Sequence, residues 1–72
     1  MTLSIVIPLL NEAESLPQLH EWIIKAMEQE TYEYEVLYID DGSTDKSWNI
    51  ISELAEAHTE VKGISFLSLI HI

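Results

Sequence analysis

Tyr34-Glu35-Val36-Leu37-Tyr38-Ile39-Asp40-Asp41-Gly42-Ser43-Thr44-Asp45 passes from a strand-forming run into a polar turn and then into residues that start a helix. Aromatic and β-branched side chains favour a strand over 34–39. Asp40-Asp41-Gly42-Ser43 is a strong turn signal, since Asp and Ser bond to nearby backbone and Gly admits a tight turn. Ser43 or Thr44 can cap the following helix, and Asp45 suits the positive end of its dipole. Trp48, Ile51, Leu54, Ala55 and His58 then recur at helical spacing, to about residue 58. Residues 61–66 form the next strand.

The same alternation runs back to the start of the chain. Leu3-Ser4-Ile5-Val6-Ile7-Pro8-Leu9-Leu10 is a short run ended by Pro and reads as a strand buried on both faces. Ser15-Leu16-Pro17-Gln18 fits a capping box. Leu16, Leu19, Ile23, Ala26 and Met27 mark the apolar face of a helix over about 15–30. The order β-α-β-α-β with short connections implies an α/β fold, an incomplete Rossmann-like three-layer unit on a parallel sheet with right-handed crossovers.

Composition bounds what such a unit can be. The chain has 72 residues, no cysteine, 13 acids against three bases and a formal charge of −10. A domain this short buries only ~60% of its unfolded surface, so it holds one small core. A complete α/β enzyme needs roughly twice the length. Without cysteine there is no disulfide or thiolate metal site to reinforce that core. The acidic balance excludes nucleic acid as a direct partner, because phosphate binding rests on Lys and Arg. At 47% hydrophobic residues the chain is not a disordered acidic tail. No apolar run approaches the ~18–20 residues of a membrane helix, and no basic segment precedes residues 3–10 as in a secretory leader. The fragment itself is therefore expected to be soluble.

In an open parallel sheet, ligands bind outside the carboxyl ends of the strands. Two polar clusters fall at such ends: Pro8-Leu9-Leu10-Asn11-Glu12, and Asp40 to Asp45. If the two strands are neighbours, their ends lie ~5 Å apart and both clusters line one crevice. Asp41 offers acceptors only, so it suits a uracil or guanine imide or a ribose diol. No Gly-rich phosphate cradle is present, and the one Lys on offer, Lys46, is distant.

Ser4-Ile5-Val6-Ile7-Pro8-x-x-Asn11-Glu12, followed by Tyr34-Glu35-Val36 and Asp40-Asp41-Gly42-Ser43-Thr44-Asp45, resembles the N-terminus of family-2 glycosyltransferases of the GT-A fold. The likeness covers residues 3–66 and is strongest to the dolichol-phosphate mannosyltransferase-like, polyprenyl-phosphate branch. It implies that residues 1–66 are the N-terminal nucleotide-binding part of a truncated glycosyltransferase domain. It further implies that Pro8, Leu10 and Glu12, with Asn11 in the same cluster, line the nucleoside pocket. Asp41 would meet the base with Ile39 beneath it, while Asp40 orients the turn. The donor would be a UDP- or GDP-sugar and the acceptor a lipid phosphate or glycan. A divalent metal, Mg or Mn, would stabilise the departing diphosphate. The resemblance also places the parent at the cytoplasmic face, anchored through C-terminal membrane helices.

Two departures limit that expectation. The residue before Asn11 is often aromatic in the family and here is Leu10, so stacking on the base is lost. The family's Asp-x-Asp metal motif, acceptor site and catalytic base follow later strands. No catalytic residue and no metal ligand are therefore expected from this stretch alone, and the fragment is expected to be inactive. Leu67-Ser68-Leu69-Ile70-His71-Ile72 reads as the in-frame translation of a transposase sequencing adaptor, so 67–72 are expected to be a non-native tail. Natural source DNA that continues past the Phe66 codon without an adaptor match would overturn that expectation.

Other readings compete. A receiver-like interaction domain also places adjacent Asp residues at a strand end, but there the pair follows strand one and a further Asp follows strand three. A small α/β interaction domain without a ligand would use Asp40 and Asp41 for the turn, and Asn11 and Glu12 for capping. The Asp-rich loop lacks the spacing and final Glu of a calcium loop. His20, His58 and His71 show no metal spacing, and the first two read as helix surface or boundary residues. Trp22 and Trp48 read as helix packing residues, and the Glu-rich helix faces as solvated surface.

Overall fold

A computed structural model describes residues 2–30 and 33–66 and the backbone of residues 70–71. Strand β1 (Thr2–Leu9), helix α1 (Leu16–Met27), strand β2 (Glu33–Asp40), helix α2 (Ser47–Ala57) and strand β3 (Val61–Ser65) follow in the expected order. A two-residue strand β4 (Ile70–His71) is added. The sheet order is β1-β2-β3-β4. β1, β2 and β3 are parallel, whereas β4 runs antiparallel to β3. Residues 67–69 and 72 of the expected tail lie outside the described residues.

Alternation along the strands builds one core. Val36, Tyr38 and Asp40 on β2 are buried, and Val61, Gly63 and Ser65 are their buried register partners on β3. Leu9, Leu16, Val36, Tyr38, Ile51 and Val61 form the core cluster, with Ile5, Ile7, Leu19, Ile23 and Trp48 packed against it. Residues of both helices share that cluster and the helices touch each other, so they cover the same sheet face. The chain thus supplies two layers of the three-layer architecture.

The opposite face corrects one expectation. β1 is not buried on both faces: Thr2, Ser4, Val6 and Pro8 are exposed and alternate with more buried neighbours. Periodicity cannot reveal this, because burial of a strand's second face depends on what packs there. On this face Lys62 pairs with Glu35 at 3.4 Å, and the Ser4 hydroxyl donates to Glu35 at 2.8 Å. The Ser4 bond first, then Lys62, holds the Glu35 carboxyl below its usual range.

The helix starts also differ from expectation. Ser15 has right-handed helical dihedrals and makes no side-chain cap bond, so the capping box does not form. Its hydroxyl instead donates to the Glu12 carboxylate at 2.8 Å. Neither Ser43 nor Thr44 caps α2. Asp45 does the equivalent work, its carboxylate accepting from the Ser47 amide at 2.9 Å and the Ser47 hydroxyl at 2.6 Å. Trp48 packs over β3, but Trp22 is 62% exposed and not a packing residue.

Candidate functional site

β1 and β2 are neighbours, with Pro8 opposite Ile39 and Leu9 opposite Asp40. The two polar clusters therefore meet at one edge of the sheet. Asp41 N–H donates to the Leu9 carbonyl at 3.0 Å, which carries the pairing one residue beyond the strands.

Two loops are laced together there by side-chain to backbone bonds. Asn11 adopts φ +54°, a left-handed conformation that Asn tolerates better than most residues. This turns its carboxamide oxygen toward the second loop, where it accepts from Thr44 N–H at 2.8 Å and Asp45 N–H at 3.2 Å. In return, Asn11 N–H donates to the Ser43 hydroxyl at 2.8 Å and Glu12 N–H to the Ser47 hydroxyl at 2.9 Å. Ala13 N–H reaches the Asp45 carboxylate at 3.2 Å. Asp40 is 1% exposed, and its carboxylate accepts from Ser43 N–H at 2.8 Å.

The expected site residues thus divide by geometry. Asn11 and Asp40 spend acceptor atoms on the loops. Glu12 closes the turn that leads into α1, its carbonyl accepting from Leu16 N–H at 3.1 Å. Pro8 and Ile39 share the sheet face turned away from the helices, and Leu10 is 52% exposed beyond Pro8. Asp41 is exposed, and among the described residues no hydrogen bond or ion pair engages its carboxylate. Gly42 has φ +92°, and nothing lies within 4 Å of where a Cβ would stand. The edge therefore presents a small apolar step beside one free carboxylate and an open backbone turn.

Ser43 and Ser47 were missed as latch residues. Ser47 is fully buried and serves both loops at once. Ser47→Ala leaves Glu12 N–H and the Asp45 carboxylate without this partner and is expected to cost about 1–3 kcal/mol. Urea unfolding of the two proteins measures it; equal midpoints would show that the latch is not stabilising.

The Ser47 hydroxyl, ahead of three backbone amides, holds the Asp45 carboxyl below its usual range. A carboxyl with a depressed folded pKa stabilises fully above its unfolded value, near 3.8, and loses that contribution as pH falls through the lower folded value. Asp45→Asn keeps an acceptor but not the charge. The melting-temperature gap between parent and Asp45→Asn is therefore expected to be widest at neutral pH and to narrow as pH falls below about 3.8. A gap independent of pH would refute the assignment.

The histidines depart most from expectation. His20 is 2% exposed, not a helix surface residue, and its Nδ1 lies 2.8 Å from Tyr38 Oη. Among the described residues, His20, His58 and Glu60 form a group of three possible metal-ligating side chains. His20 comes from α1, whereas His58 and Glu60 lie in the connection between α2 and β3, so spacing along the sequence does not bring the three together. The crevice carboxylates form no such group among the described residues, so Asp40, Asp41 and Asp45 do not fit a metal centre by themselves.

Residues 4–68 match the family model described as Glycosyl transferase family 2. Over 53 residues the chain is 53% identical to an undecaprenyl-phosphate 4-deoxy-4-formamido-L-arabinose transferase of Photorhabdus laumondii, covering 74% of this chain and 16% of that protein. The Proteus mirabilis protein of the same name is 52% identical over 52 residues, 72% of this chain and 16% of the relative. A bactoprenol glucosyl transferase of Shigella phage SfV is 36% identical over 66 residues, 92% of this chain and 22% of the relative. The chain thus spans 16–22% of the length of these curated relatives. These matches do not favour the receiver-like alternative.

Proposed function

The chain belongs to glycosyl transferase family 2, and we propose that it forms the nucleoside-binding part of the donor site in an enzyme that moves a sugar from a nucleotide to a polyprenyl phosphate. The observation that carries this reading is the crevice at the carboxyl ends of β1 and β2. Its loops are locked by their own bonds while Asp41, Leu10 and the Gly42 turn stay open. The relatives named above, which include transferases named for undecaprenyl phosphate and bactoprenol, support the choice of acceptor.

The division of labour follows from the geometry. Pro8, Leu10 and Ile39 would bury one face of a base, and Asp41 would accept hydrogen bonds from its imide or from the ribose diol. Asn11, Glu12 and Asp40 would hold the loops in register, so that binding does not have to order them. A UDP- or GDP-sugar satisfies this donor pattern. Transfer would be direct displacement at the anomeric carbon, and a phosphate acceptor needs no base to activate it. A divalent metal, Mg or Mn, bound in the whole protein would neutralise the departing diphosphate; the crevice carboxylates here are committed elsewhere or stand alone. No described helix is long and apolar enough to cross a membrane, so attachment to the cytoplasmic face would rest on segments beyond this chain.

Titration of the isotope-labelled chain with UDP and GDP tests the reading by amide NMR. Shifts are expected at Leu10, Glu12, Asp41 and Gly42. Saturating shifts confined to residues outside the two loops would refute it.

A further inference from the structure

We propose that His20, His58 and Glu60 form a binding site for a divalent transition metal of the zinc type, on the amino-end side of the sheet and separate from the crevice. The ligand atoms are His20 Nε2, His58 Nδ1 and Glu60 Oε2, all within 4.8 Å of one another. His20 Nε2 lies 3.4 Å from the Glu60 oxygen and His58 Nδ1 lies 3.7 Å from the same oxygen. Zinc bonds of about 2.0–2.2 Å in a tetrahedron separate ligand atoms by roughly 3.3–3.6 Å. The two pairs are already near that spacing. Rotation of His58, which is 34% exposed, adjusts the third.

The state of His20 is the second, independent observation. Its Nε2 is buried, points at Glu60 and has no hydrogen-bond partner. An orphaned buried nitrogen is costly unless something satisfies it. Its other nitrogen lies against Tyr38 Oη at 2.8 Å. When Nδ1–H donates to that oxygen, Nε2 presents a lone pair, as in metal-bound histidines whose second nitrogen is held by an outer partner.

Position gives the site a purpose. His20 comes from α1, His58 ends α2, and Glu60 immediately precedes β3. One ion would therefore clamp both helices to the sheet in a chain with a small core and no cysteine. Glu60 also borders an open hollow at the amino ends of the strands, so its carboxylate is reachable from solvent. The inference does not rest on the proposed transferase activity, and either can fail without the other.

Calorimetric titration of the metal-stripped chain with zinc chloride is the test. One ion per chain is expected, with a rise in melting temperature, and cobalt should give the strong visible absorption of a four-coordinate ion. Tyr38→Phe, which removes only the positioning oxygen, should weaken zinc by roughly 10–100-fold. His58→Gln and Glu60→Gln, which remove ligands, should weaken it further, while Glu56→Gln on the exposed face of α2 leaves it unchanged. Nitrogen NMR of the unsubstituted chain gives a readout that needs no variant: zinc should shift His20 Nε2 and His58 Nδ1. Absence of one-to-one binding, or binding that survives both ligand substitutions, overturns the proposal.

Discussion

Gly63→Ala is expected to remove a large share of the chain's stability, although it adds a single methyl group. The added Cβ would stand 2.5 Å from Ile51 Cγ2 and 3.3 Å from Trp48 Cζ3. Ile51 is fully buried and β-branched, so its side chain cannot swing aside. Helix α2 would have to lift from β3, and overpacking of this kind costs about 1–3 kcal/mol. A chain of this length carries only on the order of 5 kcal/mol. The same lift would pull Ser47, at the start of α2, from Glu12 N–H and loosen the crevice. Circular dichroism during urea unfolding measures the loss. The decisive control is the double substitution Gly63→Ala with Ile51→Ala, which removes the clashing methyl. The pair should be less destabilised than the sum of the single changes by at least ~1 kcal/mol. Strict additivity would show that the clash is relieved elsewhere. Gly42→Ala provides the contrast: no atom stands in its way, so its cost of about 1–2 kcal/mol comes from φ +92° alone.

Why Gly63 carries this weight is visible only in three dimensions. In the sequence it is one glycine in a strand, and its partner Tyr38 is found only through the register of β2 and β3. By contrast, the order of strands and helices is legible, because 34–39 and 61–66 carry strand residues and 48–58 repeats at helical spacing. The meeting of the two polar clusters is legible as well, since it follows from parallel neighbours and short connections. The lacing is not. It depends on Leu9 lying opposite Asp40, which sets Asn11 level with Ser43, Thr44 and Asp45. The His20 group is hidden for the same reason: Gln18 and Glu21 around it look like solvated helix, and only packing against Tyr38 buries the ring.

Asp41→Asn should separate recognition from folding, which makes it the sharpest test of the crevice. Asp40 and Asp41 are adjacent in sequence yet opposite in circumstance. Asp40 is buried with its carboxylate on Ser43 N–H, so Asp40→Asn should lower stability by weakening the turn. Asp41 is exposed and its carboxylate has no protein partner among the described residues, so Asp41→Asn should leave the unfolding midpoint unchanged. A hydrogen bond to a charged group contributes about 1.5–3 kcal/mol. UDP or GDP affinity should therefore fall by roughly 10–150-fold on Asp41→Asn. The chemistry of the base adds a second axis. A carboxylate accepts from the imide N–H of uracil or guanine, whereas adenine and cytosine present a ring nitrogen acceptor at the corresponding edge. The unsubstituted chain should thus prefer UDP and GDP over ADP and CDP, and Asp41→Asn should erase most of that preference. If affinity falls equally for all four nucleotides, Asp41 meets the ribose diol shared by all of them and not the base. If affinity does not change at all, the free carboxylate is a solvated turn residue and the donor site lies elsewhere on the sheet edge.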